Sequence, residues 1–103
     1  MAEDENHDEP RLPDEAEGYP PLDFNTFILS LSTSALMNMG EVPEPASGEV
    51  DKNLPLARQT VDLLAMLEEK TKGNLTGEEE RLLTQVLYDL RMRYLAALEK
   101  DSK

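Results

Sequence analysis

LEEKTKGNLTGEEERLLTQVLYDLRMRY, residues 67–94, holds a helix stop and a helix start with only Asn74 and Leu75 between them. Gly73 ends the first helix, because glycine takes the left-handed backbone of a C-terminal cap without strain. Lys70 and Lys72 put positive charge into the last turn, where the helix dipole is negative. Thr76 opens the next helix. Its hydroxyl can accept the Glu79 N–H while the Glu79 carboxylate accepts the Thr76 N–H, a reciprocal capping box, and Glu78 and Glu80 add negative charge at the positive end of the dipole. A connection this short makes the two helices antiparallel, a helical hairpin.

Downstream, Leu83, Leu87, Leu90, Tyr94 and Ala97 recur in alternating steps of four and three, the spacing of a helix-packing seam, and Leu82, Val86, Leu95 and Leu98 widen it. This predicts a helix over 77–99. Upstream, Asn53 and a first-turn Pro55, whose missing N–H costs little there, predict a helix over 54–72. On it Leu56, Thr60, Leu63 and Leu67 form one stripe, with Ala57, Val61 and Leu64 beside it.

Further upstream, EVPEPASGEVDKN (41–53) is broken by Pro43, Pro45 and Gly48 and reads as a loop, compatible with either a packed functional feature or a mobile connection. Before it, Asp23 and Gly40 bracket a helix over 24–39. Phe24, Phe27, Ile28, Leu31 and Ala35 share one face of that helix, and Leu29 and Leu36 broaden it. No charged residue stands between Asp23 and Glu41. The stretch is too short and, with Asn25, Thr26, Ser30, Ser32, Thr33, Ser34 and Asn38, too polar for a bilayer span, which needs about 20 predominantly apolar residues. A helix covered by protein on several sides is expected.

The predicted class is therefore all-α: an apolar N-terminal helix packed on an antiparallel hairpin, completed by homo-oligomerisation. The folded unit is expected over 23–100, with frayed residues at 101–103. Residues 1–22 read as an acidic, disordered tail. Eight of the chain's 22 acidic residues fall in the first 21 positions against Arg11 alone, a net −7, and the segment has four prolines and almost nothing apolar. The other 82 residues carry −5 of the total −12, a balance that disfavours phosphate backbones and anionic membranes alike. The chain start shows no signal pattern, so a cytoplasmic location is expected.

The absence of cysteine removes thiolate chemistry and cysteine-ligated zinc. The one histidine, His7, lies in the tail, so the Ser30, Ser32 and Ser34 hydroxyls have no base to activate them and read as packing and back-bonding residues. The Glu-x-x-His pattern of a di-metal bundle is missing, and the five glycines are too scattered for a phosphate loop. No catalytic, cofactor or metal residue is predicted, and the chain is not expected to be an enzyme. Arg81, Arg91 and Arg93, near Lys70 and Lys72, are the one basic grouping, read mainly as surface pairs.

About 60 helical residues make a unit of marginal stability alone. An excess of apolar helical surface thus predicts a homodimer, with Phe24, Phe27, Ile28, Leu31, Ala35, Met39, Tyr94 and Leu98 at its interface. The leading functional expectation is a helical protein-interaction module. The alternative is an accessory factor of the translation or nucleic-acid machinery, touching RNA through Arg81, Arg91 and Arg93.

Three segments together carry a family resemblance: DFNTFILSLSTSALMNMGEVPEP (23–45), LARQTVDLLAMLEEKTKGNLT (56–76) and EEERLLTQVLYDLRMRY (78–94). They closely resemble the bacterial family catalogued as domain of unknown function 1844. The resemblance implies a short bacterial cytoplasmic protein and supplies no catalytic residues to carry over.

Overall fold

The computed structural model describes Pro10 and residues 21–102. Most of the acidic stretch expected as a disordered tail, His7 included, lies outside these residues. Among the described residues there are three helices and no strand: α1, Phe24–Asn38; α2, Leu54–Lys70; and α3, Gly77–Asp101.

Each helix starts where a side chain satisfies an otherwise orphaned backbone donor. The Asp23 carboxylate accepts the Thr26 N–H at 2.8 Å, and Asn53 accepts the Leu56 N–H at 3.2 Å. At Thr76 both halves of the capping box are made, with Glu79 N–H to the Thr76 hydroxyl at 3.1 Å and Thr76 N–H to the Glu79 carboxylate at 2.9 Å.

The exits differ. After α1, Gly40 adopts φ +83, and the Gly40 N–H bonds the Met37 carbonyl while the Glu41 N–H bonds that of Leu36, the paired bonds of a Schellman motif. A side chain at Gly40 would be strained by that φ, although its Cβ would only come into ordinary contact with Lys52 and Val50, 3.4 and 3.5 Å away. α2 ends at Lys70, two residues short of the expected Lys72, where the Thr71 hydroxyl donates back to the Leu67 carbonyl at 2.7 Å and Gly73 turns the chain at φ +81.

Contacts far apart in sequence set the helix directions. Lys52, just ahead of α2, pairs with Asp101 at the end of α3 at 2.6 Å, and the Thr84 hydroxyl, early in α3, reaches Glu68 late in α2. The Asn53 N–H bonds the Asn38 carbonyl at 2.7 Å, so α2 starts beside the end of α1. α2 therefore runs antiparallel to both its neighbours, and every pair of helices is in contact.

One core lies along the common axis. Ile28 and Ala35 of α1, Met39 just after it, Leu54, Ala57, Val61 and Leu64 of α2, and Leu83, Leu87 and Leu90 of α3 are buried in a single cluster. On α3 the core row is the four–three seam. Of the two neighbouring stripes on α2, Ala57, Val61 and Leu64 face inward, while Leu56 and Leu63 are exposed. Two small residues, Ala35 and Ala57, sit fully buried, where they let the helices approach closely.

α3 is longer than α2 by eight residues, about two turns. Its last turns stand next to the α1–α2 connection. Met39, Gly40, Glu41, Val50 and Lys52, from the α1–α2 connection, gather around Ala96, Ala97 and Lys100. The helix reaches Asp101, the first residue of the segment expected to fray, and Asp101 pairs there with Lys52. The 41–53 loop also bonds itself, with Glu44 N–H to the Glu49 carbonyl at 2.8 Å and Gly48 N–H to that of Glu44 at 2.7 Å.

Adjacent positions on α3 should respond very differently to truncation. In the dilute single subunit, Leu87→Ala removes a fully buried side chain and should cost about 2–5 kcal/mol, whereas Tyr88→Ala should stay within about 0.5 kcal/mol. Thr76→Ala breaks the capping box and should cost about 1 kcal/mol. Urea denaturation followed by circular dichroism reads all three. Hydrogen bonding to Thr26 holds the Asp23 carboxyl below its ordinary range. A carboxyl depressed on folding stabilises the folded state above its unfolded pKa and loses that contribution as pH falls through its folded pKa. An NMR titration should find Asp23 protonating at lower pH than an unstructured aspartate, and a midpoint at or above that reference would count against the cap.

Candidate interaction surface

The residues expected at an interface fall into three groups. Ile28, Ala35 and Met39 are buried inside the subunit, so their apolar surface is already covered within one copy. Phe24, Leu31 and Tyr94 are half-buried against the same core. Phe27 and Leu98 are open to solvent, Phe27 with 37 % of its surface exposed. α1 thus puts most of its apolar face into the subunit and leaves Phe27 and Leu29 outside.

The larger exposed apolar surface lies on the hairpin. On α2, Leu56, Leu63 and Met66 line a shallow depression together with Gln59, Thr60 and Asp62. On α3, Tyr88, Met92 and Leu95 are 66 %, 51 % and 59 % exposed. These three follow one another at i, i+4 and i+7, so they share one face. They are two residues out of step with Leu83, Leu87 and Leu90. At roughly 100° per residue that places them on the opposite side of the helix from the core. α3 is therefore apolar on two opposed faces, one buried and one bare.

The signal for the outer row was present in the sequence as a second four–three register, Arg81, Gln85, Tyr88, Met92, Leu95 and Glu99. Its ends are charged and polar, so it stands out less than the all-apolar inner row.

The three arginines do not form a basic patch. Arg93 is held between Asp89 at 2.8 Å and Glu41 at 2.7 Å, and its pKa is raised, chiefly by the hydrogen bond to Asp89. Arg81 and Arg91 line a depression beside the hairpin turn that also contains Lys72, Glu68, Glu69 and Glu80. Carboxylates interleave with the cations there, which weakens the field a phosphate backbone would meet.

The α1 hydroxyls bond back to their own helix: Ser30 Oγ donates to the Thr26 carbonyl and Thr33 Oγ1 to that of Leu29, each at 3.0 Å. Among the described residues no group of three or more His, Cys, Asp or Glu side chains is placed to hold a metal ion. No helix among them is long and apolar enough to cross a membrane.

Comparison with known proteins adds one finding. No curated protein and no solved structure matches the chain. The family model described as Domain of unknown function (DUF1844) matches residues 21–96, which takes in α1, α2 and all of α3 except its last turn, and the chain belongs to that family.

Proposed function

We propose that this chain is a non-enzymatic, cytoplasmic helical interaction module that self-associates and presents apolar helix faces to a protein partner. One observation carries the reading. The three helices close a core of ten buried residues, yet Leu56, Leu63 and Met66 on α2 and Tyr88, Met92 and Leu95 on α3 remain outside it. Single exposed leucines are ordinary on protein surfaces, but rows of large apolar side chains at helical spacing mark faces that another helix covers.

The non-enzymatic part rests on the site chemistry. The Ser30 and Thr33 hydroxyls are engaged with backbone carbonyls, and of the carboxylates flanking the hairpin turn Glu79 caps α3 and Glu68 accepts from the Thr84 hydroxyl. The arginines are taken by or mixed with carboxylates, so the RNA-contact reading has no basic surface to support it.

Sedimentation velocity of the full chain between about 1 and 200 µM, the range in which weak module contacts form, should show a mass above one subunit that grows with concentration. Treatment with nuclease should leave it unchanged. A single-subunit mass throughout that range would overturn the self-association reading, and a nuclease-sensitive complex would favour RNA.

A further inference from the structure

We infer that the outer face of α3 is the dimer contact, and that it takes the same face of a second copy running antiparallel, with Arg81 of each copy opposite Glu99 of the other. The inference rests on the self-association proposed above and specifies its partner and register.

The six outer positions, Arg81, Gln85, Tyr88, Met92, Leu95 and Glu99, are spaced 4, 3, 4, 3, 4 and cover about 27 Å of helix. All six are exposed. Such a row can meet its own copy in only two in-register ways. In parallel, each residue faces itself, which puts Arg81 on Arg81 and Glu99 on Glu99. Antiparallel about a two-fold axis midway between Tyr88 and Met92, the layers become Arg81 with Glu99, Gln85 with Leu95, and Tyr88 with Met92, each made twice. This arrangement puts opposite charges at both ends and the apolar residues in the middle. Its central layers bring the Met92 thioether against the Tyr88 ring, a favourable contact.

Two further observations fit. Neither Arg81 nor Glu99 has an ion-pair partner among the described residues, so both are available to a second copy. Beside the row, Asp89 is already paired with Arg93 of its own helix, and Arg91 shares its depression with Glu68, Glu69 and Glu80. Asp89 therefore meets its own copy with its charge already countered. Leu98, on the flank of the row, is exposed and would fall beside Thr84 of the second copy.

Charge reversal tests the register. Arg81→Glu and Glu99→Arg should each weaken the dimer roughly tenfold, since each turns two attractive end contacts into two repulsive ones. The double variant Arg81→Glu/Glu99→Arg should return to within about twofold of the parent. Met92→Asp should abolish the dimer while leaving the helical circular dichroism unchanged. Sedimentation equilibrium of the full chain reads all four variants. Single reversals that weaken the dimer without rescue by the double variant, or a dimer that survives Met92→Asp, would overturn this contact while leaving self-association in place. A parent chain that stays a single subunit would overturn both. If Met92→Asp lost its helical signal, the charge-reversal set alone would decide, because both of its positions are exposed.

Discussion

The structure depends on one row of leucines. Leu83, Leu87 and Leu90 are buried side by side on α3, and against them lie Val61 and Leu64 from α2 and Ile28 and Ala35 from α1. Each large side chain in that row contributes about 1.5–3 kcal/mol by leaving water. Helices in proteins draw most of their stability from packing an apolar face rather than from intrinsic propensity, so the persistence of all three rests largely on this shared contact. The hairpin turn brings α2 to α3, the Schellman exit and Lys52 bring α1 back over both, and the row gives all three something to cover.

That constraint also explains what is left over. A helix in a three-helix bundle turns one face inward, and α3 and α2 carry large apolar residues on more than one. The core can accept only the side chains that point at it. Tyr88, Met92 and Leu95 on the far side of α3, and Leu56, Leu63 and Met66 on the outer side of α2, stay outside the core and are exposed. The functional reading begins from this geometry: the three helices close a core inside and leave large apolar side chains exposed outside.

Charge is arranged to suit such a surface. The ion pairs of Arg93 with Asp89 and Glu41, of Lys52 with Asp101, and of Arg58 with Asp62 are all at least partly exposed. Pairs of this kind add little stability, about 0–1 kcal/mol each. Glu41–Arg93 and Lys52–Asp101 have a second consequence, since both fasten the α1–α2 connection to the last turns of α3. They hold that connection beside the end of α3.

Much of the architecture was legible in the residues. The caps at Asp23, Asn53 and Thr76 and the stop at Gly73 act over three or four positions, so their chemistry is complete within a short stretch of chain, as is the hairpin that Gly73 and Thr76 enforce. The inner seam of α3 was equally plain, being apolar throughout. Three matters were settled only by tertiary contact. Periodicity shows that Leu56, Leu63 and Leu67 share a stripe and that Ala57, Val61 and Leu64 share its neighbour. It does not say where the core lies, and the approach of α1 and α3 chose the smaller-residue stripe on α2. The burial of Ile28, Ala35 and Met39 depended on how deeply α1 settles into the hairpin, and the pairing of the end of α3 with Glu41 and Lys52 on a loop whose sequence carries no packing signal. Local chemistry determines where helices begin and end, because the atoms that satisfy a helix terminus are neighbours in the chain. The side each helix turns inward is decided by atoms many residues away, and only the folded molecule brings those together.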